Sequence, residues 1–315
     1  MYLEVAYPNL HQYDVNYLFK NGQPINGLGN VLFRLATQYA LCKKYKYKQS
    51  FFVFDMFIKY GESIGMFQEW RSKIFQRILS NPQTDDFLEQ NKFQHYHVKN
   101  AYLYDENVSL LMKQSQQNVI MSGYLQSLQW FHEYKADITK MFAPDEESQT
   151  KIYEQYPDLN DSNVVTISIH LRLEWNSNVP FTYDDEFVKN ALEYLKYLIH
   201  RDKKIVCYVL SDNIQKAQKI LNALCSKYTF VFCEGNLDYV DLWLISLCDH
   251  NILCHSTFSW WGAYLNQNKN KVVIYPSDVI SFYSKMDNIS YDVMKENHYP
   301  KEWICMDSTS MRHLS

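Results

Sequence analysis

From residue 164 onward the chain alternates steadily between short β-branched runs and amphipathic stretches of helical period. "VVTISIHL" (164–171) has the pattern of a buried strand, and "DDEFVKNALEYLKYLIH" (184–200) that of a helix. The pairing repeats with "KIVCYVL" (204–210) and "NIQKAQKILNAL" (213–224), then with "YTFVFC" (228–233) and "VDLWLISLCDH" (240–250). "NILCH" (251–255), "STFSWWGAYL" (256–265) and "KVVIYP" (271–276) complete the run. Such alternation predicts βαβ units and an α/β body on a parallel sheet. Ligands of these sheets bind beyond the carboxyl ends of the strands, so polar residues at those ends are the candidates for chemistry.

The first half is written differently. "VNYLF" (15–19) and "SFFVFDMFI" (50–58) read as strands. "VLFRLATQYALCKKY" (31–45) reads as a helix with Leu32, Leu35, Ala36 and Tyr39 on one face. Residues 81–120 are polar, with "NPQTDD" and "KQSQQN" marking loops, and "NVIMSGYLQSLQWF" (118–131) reads as a strand, a turn and a helix start. The charged, prolyl stretch 143–163 is the best linker, which predicts domains at 1–160 and 161–315.

Charge and cysteine content exclude several classes. A net charge of −4, from 31 basic and 35 acidic residues, leaves no basic footprint, so no nucleic-acid partner is expected. "KKYKYK" (43–48) reads as a helix end with a solvated face. The seven cysteines contain no C-x-x-C spacing; Cys207, Cys248 and Cys254 sit in apolar runs as small buried hydrophobes, which fits a reducing compartment. No basic patch followed by an apolar stretch opens the chain, and no run reaches the ~20 apolar residues of a membrane helix. A soluble, cytoplasmic protein without signal peptide or membrane span is therefore expected. There is no D-x-D and no His/Cys cluster, so neither a metal nor another cofactor is expected.

Three places can carry chemistry. Two of only 8 glycines, Gly27 and Gly29, fall in "NGLGN" (26–30) before a helix; they permit positive φ and close ligand approach, with Asn30 at the helix start. The same residues equally suit a plain turn with an Asn cap. "HLRLEW" (170–175) alternates His170, Arg172 and Glu174 with leucines, so the three share one side if the strand continues. Arg172 then suits a diphosphate clamp, whereas an Arg172–Glu174 surface pair with a core histidine is the competing reading. Ser256, Thr257, Phe258 and Ser259 would open a helix after a strand, where N–H groups and hydroxyls attract an anion and Phe258 offers a face to a base. One cap needs only one of those hydroxyls. Trp260 and Trp261 read as packing residues. Asp212, ending "VLSD", suits either a ribose or base contact or a helix cap.

These residues resemble the family-11 glycosyltransferases, the inverting α-1,2-fucosyltransferases that use GDP-fucose. "DLWLISLCDHNILCHSTFSWWGAYLN" (241–266) is similar to the family's S-T-F-S-W-W-G-A block and the helix before it. "NGLGN" with "VLFRLA" resembles its G-G-L-G-N-Q block, "GYLQSLQWF" (123–131) its G-Y-F-Q-S block, and "SIHLRLEW" its H-x-R-R-x-D-Y block. "KVVIYP" and "HYPKEWI" (298–304) fit the family's ending. The resemblance implies a GT-B-like fold, two Rossmann-type domains facing a cleft, with the carboxyl-terminal half binding GDP-sugar and no obligatory metal. It implies that Arg172 holds the β-phosphate and His170 lines the donor site. Asp212 reads the nucleoside, Ser256, Thr257 and Phe258 bind diphosphate and base, and Asn30 with Gly27 and Gly29 approaches the sugar. Departures are Leu173 for the second Arg; Glu174, Trp175 and Asn176 for Gly-Asp-Tyr; Val31 for Gln; Asn213 after S-D; and His255 for Asn.

The expected partners are a nucleotide-sugar donor and a glycan acceptor, a galactose-terminated one among the candidates. The expected reaction is transfer of L-fucose from GDP-fucose to a glycan hydroxyl with inversion. Arg172 and the 256–259 turn stabilise the leaving diphosphate. Glu174 is the candidate base, with Asp184 or an acid from the first half as alternatives. Competing readings keep the fold but use another GDP-deoxyhexose such as GDP-rhamnose, or retain binding without turnover.

Overall fold

The computed structural model describes residues 1–6, 19–20, 23–24, 27–63, 65, 67–78, 92–174, 185–199, 203–225 and 227–307. They form two compact units, Met1–Ala143 and Pro144–Ser315. The division falls at the start of the stretch expected to be a linker, not near 160. That stretch is structured: α5 (Glu146–Gln155) begins at Asp145, whose carboxylate accepts from Ser148 N at 2.7 Å, and a 3₁₀ turn, Pro157–Asn160, follows it. Charge and proline there are cap chemistry for a short surface helix anchored by buried Ile152.

In the first unit, β1 (Tyr2–Ala6) lies beside β4 (Lys48–Gln49) and β6 (Asn118–Ser122), and β6 beside β5 (Phe93–His97). All pairs in this sheet, ordered β4-β1-β6-β5, are parallel, while β2 (Phe19–Lys20) and β3 (Gln23–Pro24) form an antiparallel pair. Helix α1 (Leu28–Tyr45) packs on the sheet through Leu32, Leu35 and Ala36 and ends at Lys46 with φ 60°. Gln38 is its polar anchor: Oε1 accepts from Val5 N at 2.7 Å and Nε2 donates to Ser50 O at 2.6 Å.

One expectation for this half fails. Residues 52–63 form helix α2 (Phe52–Ser63), not a strand. Phe54, Phe57 and Ile58 recur at helical spacing and are buried, and Asp55 pairs with Lys59 one turn on at 2.9 Å. The polar stretch 81–120 also holds β5 and α3 (Glu106–Gln114), capped by Asp105, and α4 (Lys135–Phe142) follows further on. β5, "FQHYH", is a polar edge strand and has no apolar pattern to announce it. "NPQTDD" and most of "VNYLF" lie outside the described residues.

The second unit has one parallel sheet of β7 (Val164–Leu171), β8 (Lys204–Ser211), β9 (Thr229–Phe232), β10 (His250–Ile252), β11 (Val273–Pro276) and β12 (Ile304–Met306). Its order, β9-β8-β7-β10-β11-β12, runs outward from β7 in both directions, which is the Rossmann arrangement. The chain therefore reverses its direction of growth between β7 and β10. Side chains pin that junction: Asn251 Nδ2 donates to Ser168 Oγ and Ile245 O, each at 2.8 Å, and Asn251 Oδ1 accepts from Asn266 Nδ2 at 3.0 Å. This buried amide is satisfied on both ends, so it fixes register without an orphaned polar group.

Helices α6 (Asp185–Leu198), α7 (Ile214–Leu221), α8 (Asp238–Leu247), α9 (Thr257–Leu265), α10 (Asp278–Met286) and α11 (Tyr291–His298) connect and cover these strands. Trp260 and Trp261 are core, as expected, with Trp260 Nε1 donating to His298 O at 3.0 Å. Gly262 lets α8 and α9 touch: a Cβ there would stand 2.4 Å from Ile245 Cγ2 and 2.6 Å from its Cβ. Gly262→Ala is expected to lower unfolding free energy by ~1–3 kcal/mol through overpacking. Gly27→Ala, whose added Cβ meets no heavy atom within 4 Å, should cost less than ~1 kcal/mol. Urea denaturation of both variants checks the contrast.

Candidate functional site

β7 ends at Leu171, so His170, Arg172 and Glu174 do not share one strand face as the alternation suggested. His170 is buried within the strand, while Arg172 and Glu174 stand exposed beyond it. A single carboxylate shapes that exit. Asp212, just past β8, accepts from Leu173 N at 2.7 Å and from Glu174 N at 3.1 Å, and pairs with Arg172 Nε at 3.2 Å. Arg172 thus pairs with Asp212, not with Glu174. Glu174 Oε1 accepts instead from Asn213 Nδ2 at 2.7 Å, and Lys216 Nζ donates to Leu173 O at 3.1 Å. Asn213, not Asp212, caps α7, accepting from Lys216 N.

Across the junction, β10 stops at Ile252 and residues 253–255 form the loop into α9. Ser256 is the cap: its Oγ accepts from Phe258 N at 3.2 Å. Ser259 Oγ donates to Ser256 O at 3.2 Å and is buried, so one hydroxyl caps and another braces the turn. Thr257 and Phe258 are half-buried at the turn's outer edge. The Phe258 ring lies 5.4 Å from that of His170, which joins the two strand ends. His170, Arg172, Asp212 and residues 256–259 therefore come together around the junction of β7 and β10, where an open parallel sheet presents its crevice.

Gly27, Gly29 and Asn30 belong to the first unit. Gly27 has φ −75° and ψ 171°, and Gly29 lies inside α1, so neither adopts the positive φ that the sequence allowed. The helix simply begins three residues earlier, at Leu28, than the apolar pattern from 31 shows. Asn30 sits in its first turn, where Oδ1 accepts from Gln126 Nε2 at 2.9 Å. Gln126 comes from the turn after β6, which places Gly123 at φ 151° and buried Leu125 at φ 55°. A branched side chain held in the left-handed region is uncommon and marks a turn fixed by its surroundings.

Burial sets the protonation states. His170 is driven down to about 4 by burial, aided by the Arg172 charge and opposed by Asp212. His255 falls to about 3 through burial and His298. Asp241, on the first turn of α8, is raised to about 6 by burial, although Asn236 Nδ2 donates to its Oδ1 at 2.8 Å. Spacing alone singles out neither Asp241 nor Lys216, and it shows Cys254 only as a buried hydrophobe and Asn213 only as a departure from the family's motif. Asp241 had a signal, an acid opening an otherwise apolar helix before β10. Asp184 lies outside the described residues. Among the described residues no group of three or more His, Cys, Asp or Glu could hold a metal ion, and no helix is long and apolar enough to cross a membrane.

Comparison with known proteins gives this arrangement a class. The glycosyl transferase family 11 model matches residues 24–307, and the chain belongs to that family. It is 28% identical over 207 residues to an α-1,2-colitosyltransferase of Escherichia coli, a match covering 64% of this chain and 66% of that one. It is 23% identical over 230 residues to a galactoside 2-α-L-fucosyltransferase of Caenorhabditis elegans, covering 64% and 56%. These matches thus span about two thirds or less of the relatives' lengths. The solved structure of the fucosyltransferase NodZ from Bradyrhizobium aligns with a TM-score of 0.48 at 13% identity, covering 83% of this chain and 91% of that one.

Two outcomes follow from the protonation and anchoring described. The unfolded chain protonates its histidines near pH 6.5, whereas folded His170 waits until about pH 4, so the unfolded state binds more protons in between. Stability is expected to fall as pH drops from 6.5 towards 4; His255 adds to the loss and Asp241, which gains its proton early when folded, partly offsets it. His170→Asn should make this fall shallower, as read from urea midpoints at stepped pH. Asp212→Ala removes the acceptor of two backbone N–H groups and should cost ~1–3 kcal/mol, measured by the same denaturation.

Proposed function

We propose that this protein is an inverting glycosyltransferase that moves a sugar from a GDP-linked donor to a hydroxyl of a glycan. The donor sugar in this reading is L-fucose and the product linkage α-1,2. The observation that carries it is the strand order, which puts Arg172 and the Ser256–Ser259 turn on the two sides of the β7–β10 junction in a family-11 chain. A diphosphate seated there meets a guanidinium from one strand end and helix N–H groups from the other. As the sugar–oxygen bond breaks, negative charge grows on that diphosphate, and preset donors lower the barrier without reorganising. Asp212 acts in this scheme chiefly by setting the 172–174 turn, since its carboxylate already serves Leu173, Glu174 and Arg172.

Inversion needs the acceptor oxygen to attack from the face opposite the leaving group, with its proton taken by a base. Glu174 fills that role here: it is exposed, follows Arg172 by two residues, and is steadied through Oε1 by Asn213. No cofactor enters the scheme, and diphosphate charge is balanced by protein groups. A second donor, GDP-colitose, is favoured by the Escherichia coli relative and is tested alongside GDP-fucose.

Arg172→Ala is expected to weaken GDP binding by roughly 10- to 100-fold, as a charge-assisted contact would, and to lower transfer to a galactose-terminated glycan by about 10²–10³. Calorimetry with GDP and product analysis with both donors read these effects; undiminished binding and transfer would rule the clamp out. Glu174→Gln should keep GDP affinity and lose transfer by about 10²–10⁴, and a fully active variant removes Glu174 from the mechanism.

A further inference from the structure

His170 carries a contact that its place in the site does not explain. Its Nδ1 lies 3.1 Å from the Sγ of Cys254, the second residue after β10, and both side chains are buried. A cysteine beside a histidine suggests a nucleophilic pair, but the surroundings argue against one. Burial pushes the Cys254 thiol up to about 12 and drives His170 down to about 4, so at neutral pH the pair is a thiol and a neutral imidazole. With no thiolate present there is no attacking sulfur.

The pair then shares two protons, one on sulfur and one on the ring, and two arrangements are open. In the first, Sγ–H donates to Nδ1 and the ring proton sits on Nε2. In the second, Nδ1–H donates to sulfur, and the thiol proton must go to Ser259 Oγ, which stands 3.9 Å away. The neighbouring hydroxyl has already used its own proton on Ser256 O, so it offers only an acceptor at the far limit of reach. The second arrangement also spends the ring N–H on sulfur, a weak acceptor. The first directs the thiol proton at the stronger acceptor across the shorter gap.

We propose that Cys254 is a positioning residue that fixes the His170 imidazole in its Nε2–H tautomer, so that the ring offers a hydrogen-bond donor, not a base, to an oxygen of the bound nucleotide diphosphate. The ligand named here rests on the function proposed above; the tautomer does not. The tilted contact with Phe258, 5.4 Å between ring centres and 45° between planes, restricts the same ring from a second side. Cys254 thereby ties the end of β7 to the loop leaving β10 at the point where the sheet's crevice opens.

The test is nitrogen-resolved NMR of the full chain labelled with ¹⁵N-histidine, free of nucleotide, with the His170 signals assigned by their loss in His170→Asn. The expected result is an unprotonated Nδ1 and a protonated Nε2 at pH 7; a protonated Nδ1, or a mixture of the two forms, overturns the proposal. Cys254→Ser keeps an O–H donor and should retain the tautomer and the affinity for GDP. Cys254→Ala should yield a mixed tautomer and weaken GDP about 10-fold, the loss of one buried hydrogen bond. If Cys254→Ala keeps a pure Nε2–H ring and unchanged affinity, Cys254 does not set it. Should Cys254→Ala fail to fold, the bulkier Cys254→Val is read in the same way, and the wild-type spectrum decides in either case. A wild-type chain that shows the expected tautomer yet binds no GDP would count against the functional assignment while leaving the role of Cys254 intact.

Discussion

The exit from β7 is organised by one carboxylate. Asp212 receives two consecutive backbone N–H groups and a guanidinium, so the chain after Leu171 turns where β8 directs it. Because Asp212 follows β8 and the turn follows β7, the contact couples neighbouring strands at their carboxyl ends, where hydrogen bonds of the sheet have run out. Arg172 is half exposed in consequence, with one edge held by the carboxylate. A cation in that state keeps donors for a further anion while losing little freedom when one arrives. Its pair with Asp212, at 46% and 18% side-chain exposure, contributes to placement more than to stability.

Opposite this exit the Ser256 turn is built on different terms. Ser256 and Ser259 are committed to the helix itself, one as cap and one as brace, which leaves Thr257 and Phe258 at the outer edge. The polar junction beneath, from Ser168 through Asn251 to Asn266, holds β7 and β10 in register. One wall of the crevice therefore leaves β7 held by Asp212, and the other leaves β10 held by the hydroxyls of its own turn.

The second unit was readable because β7, β8 and β11 are rich in β-branched and apolar residues and alternate with helical patterns; these strands fall within a residue or two of their apolar runs. The first unit resisted reading for physical reasons. In 50–58 a dense aromatic run hides the helical period that Phe54, Phe57 and Ile58 follow, while β5 is an edge strand made of Phe, Gln, His and Tyr. Residues 143–163 looked like a linker because a short surface helix and an acidic cap share its composition. At the site, residue types and strand ends were legible, but partnerships were not. Nothing in the spacing of Asp212, 38 and 39 positions from its backbone partners, discloses that it serves the turn rather than faces outward. Nor does the apolar setting of Cys254 disclose the imidazole 84 positions away.

The glycine contact between α8 and α9 bears on how such a protein can change. With Ile245 against the bare backbone at Gly262, the helix that carries the Ser256 turn can keep this close approach to its neighbour only while position 262 has no side chain. Variation on this scaffold is therefore freer at the exposed side chains of Arg172 and Glu174 than at Gly262, where any side chain meets Ile245.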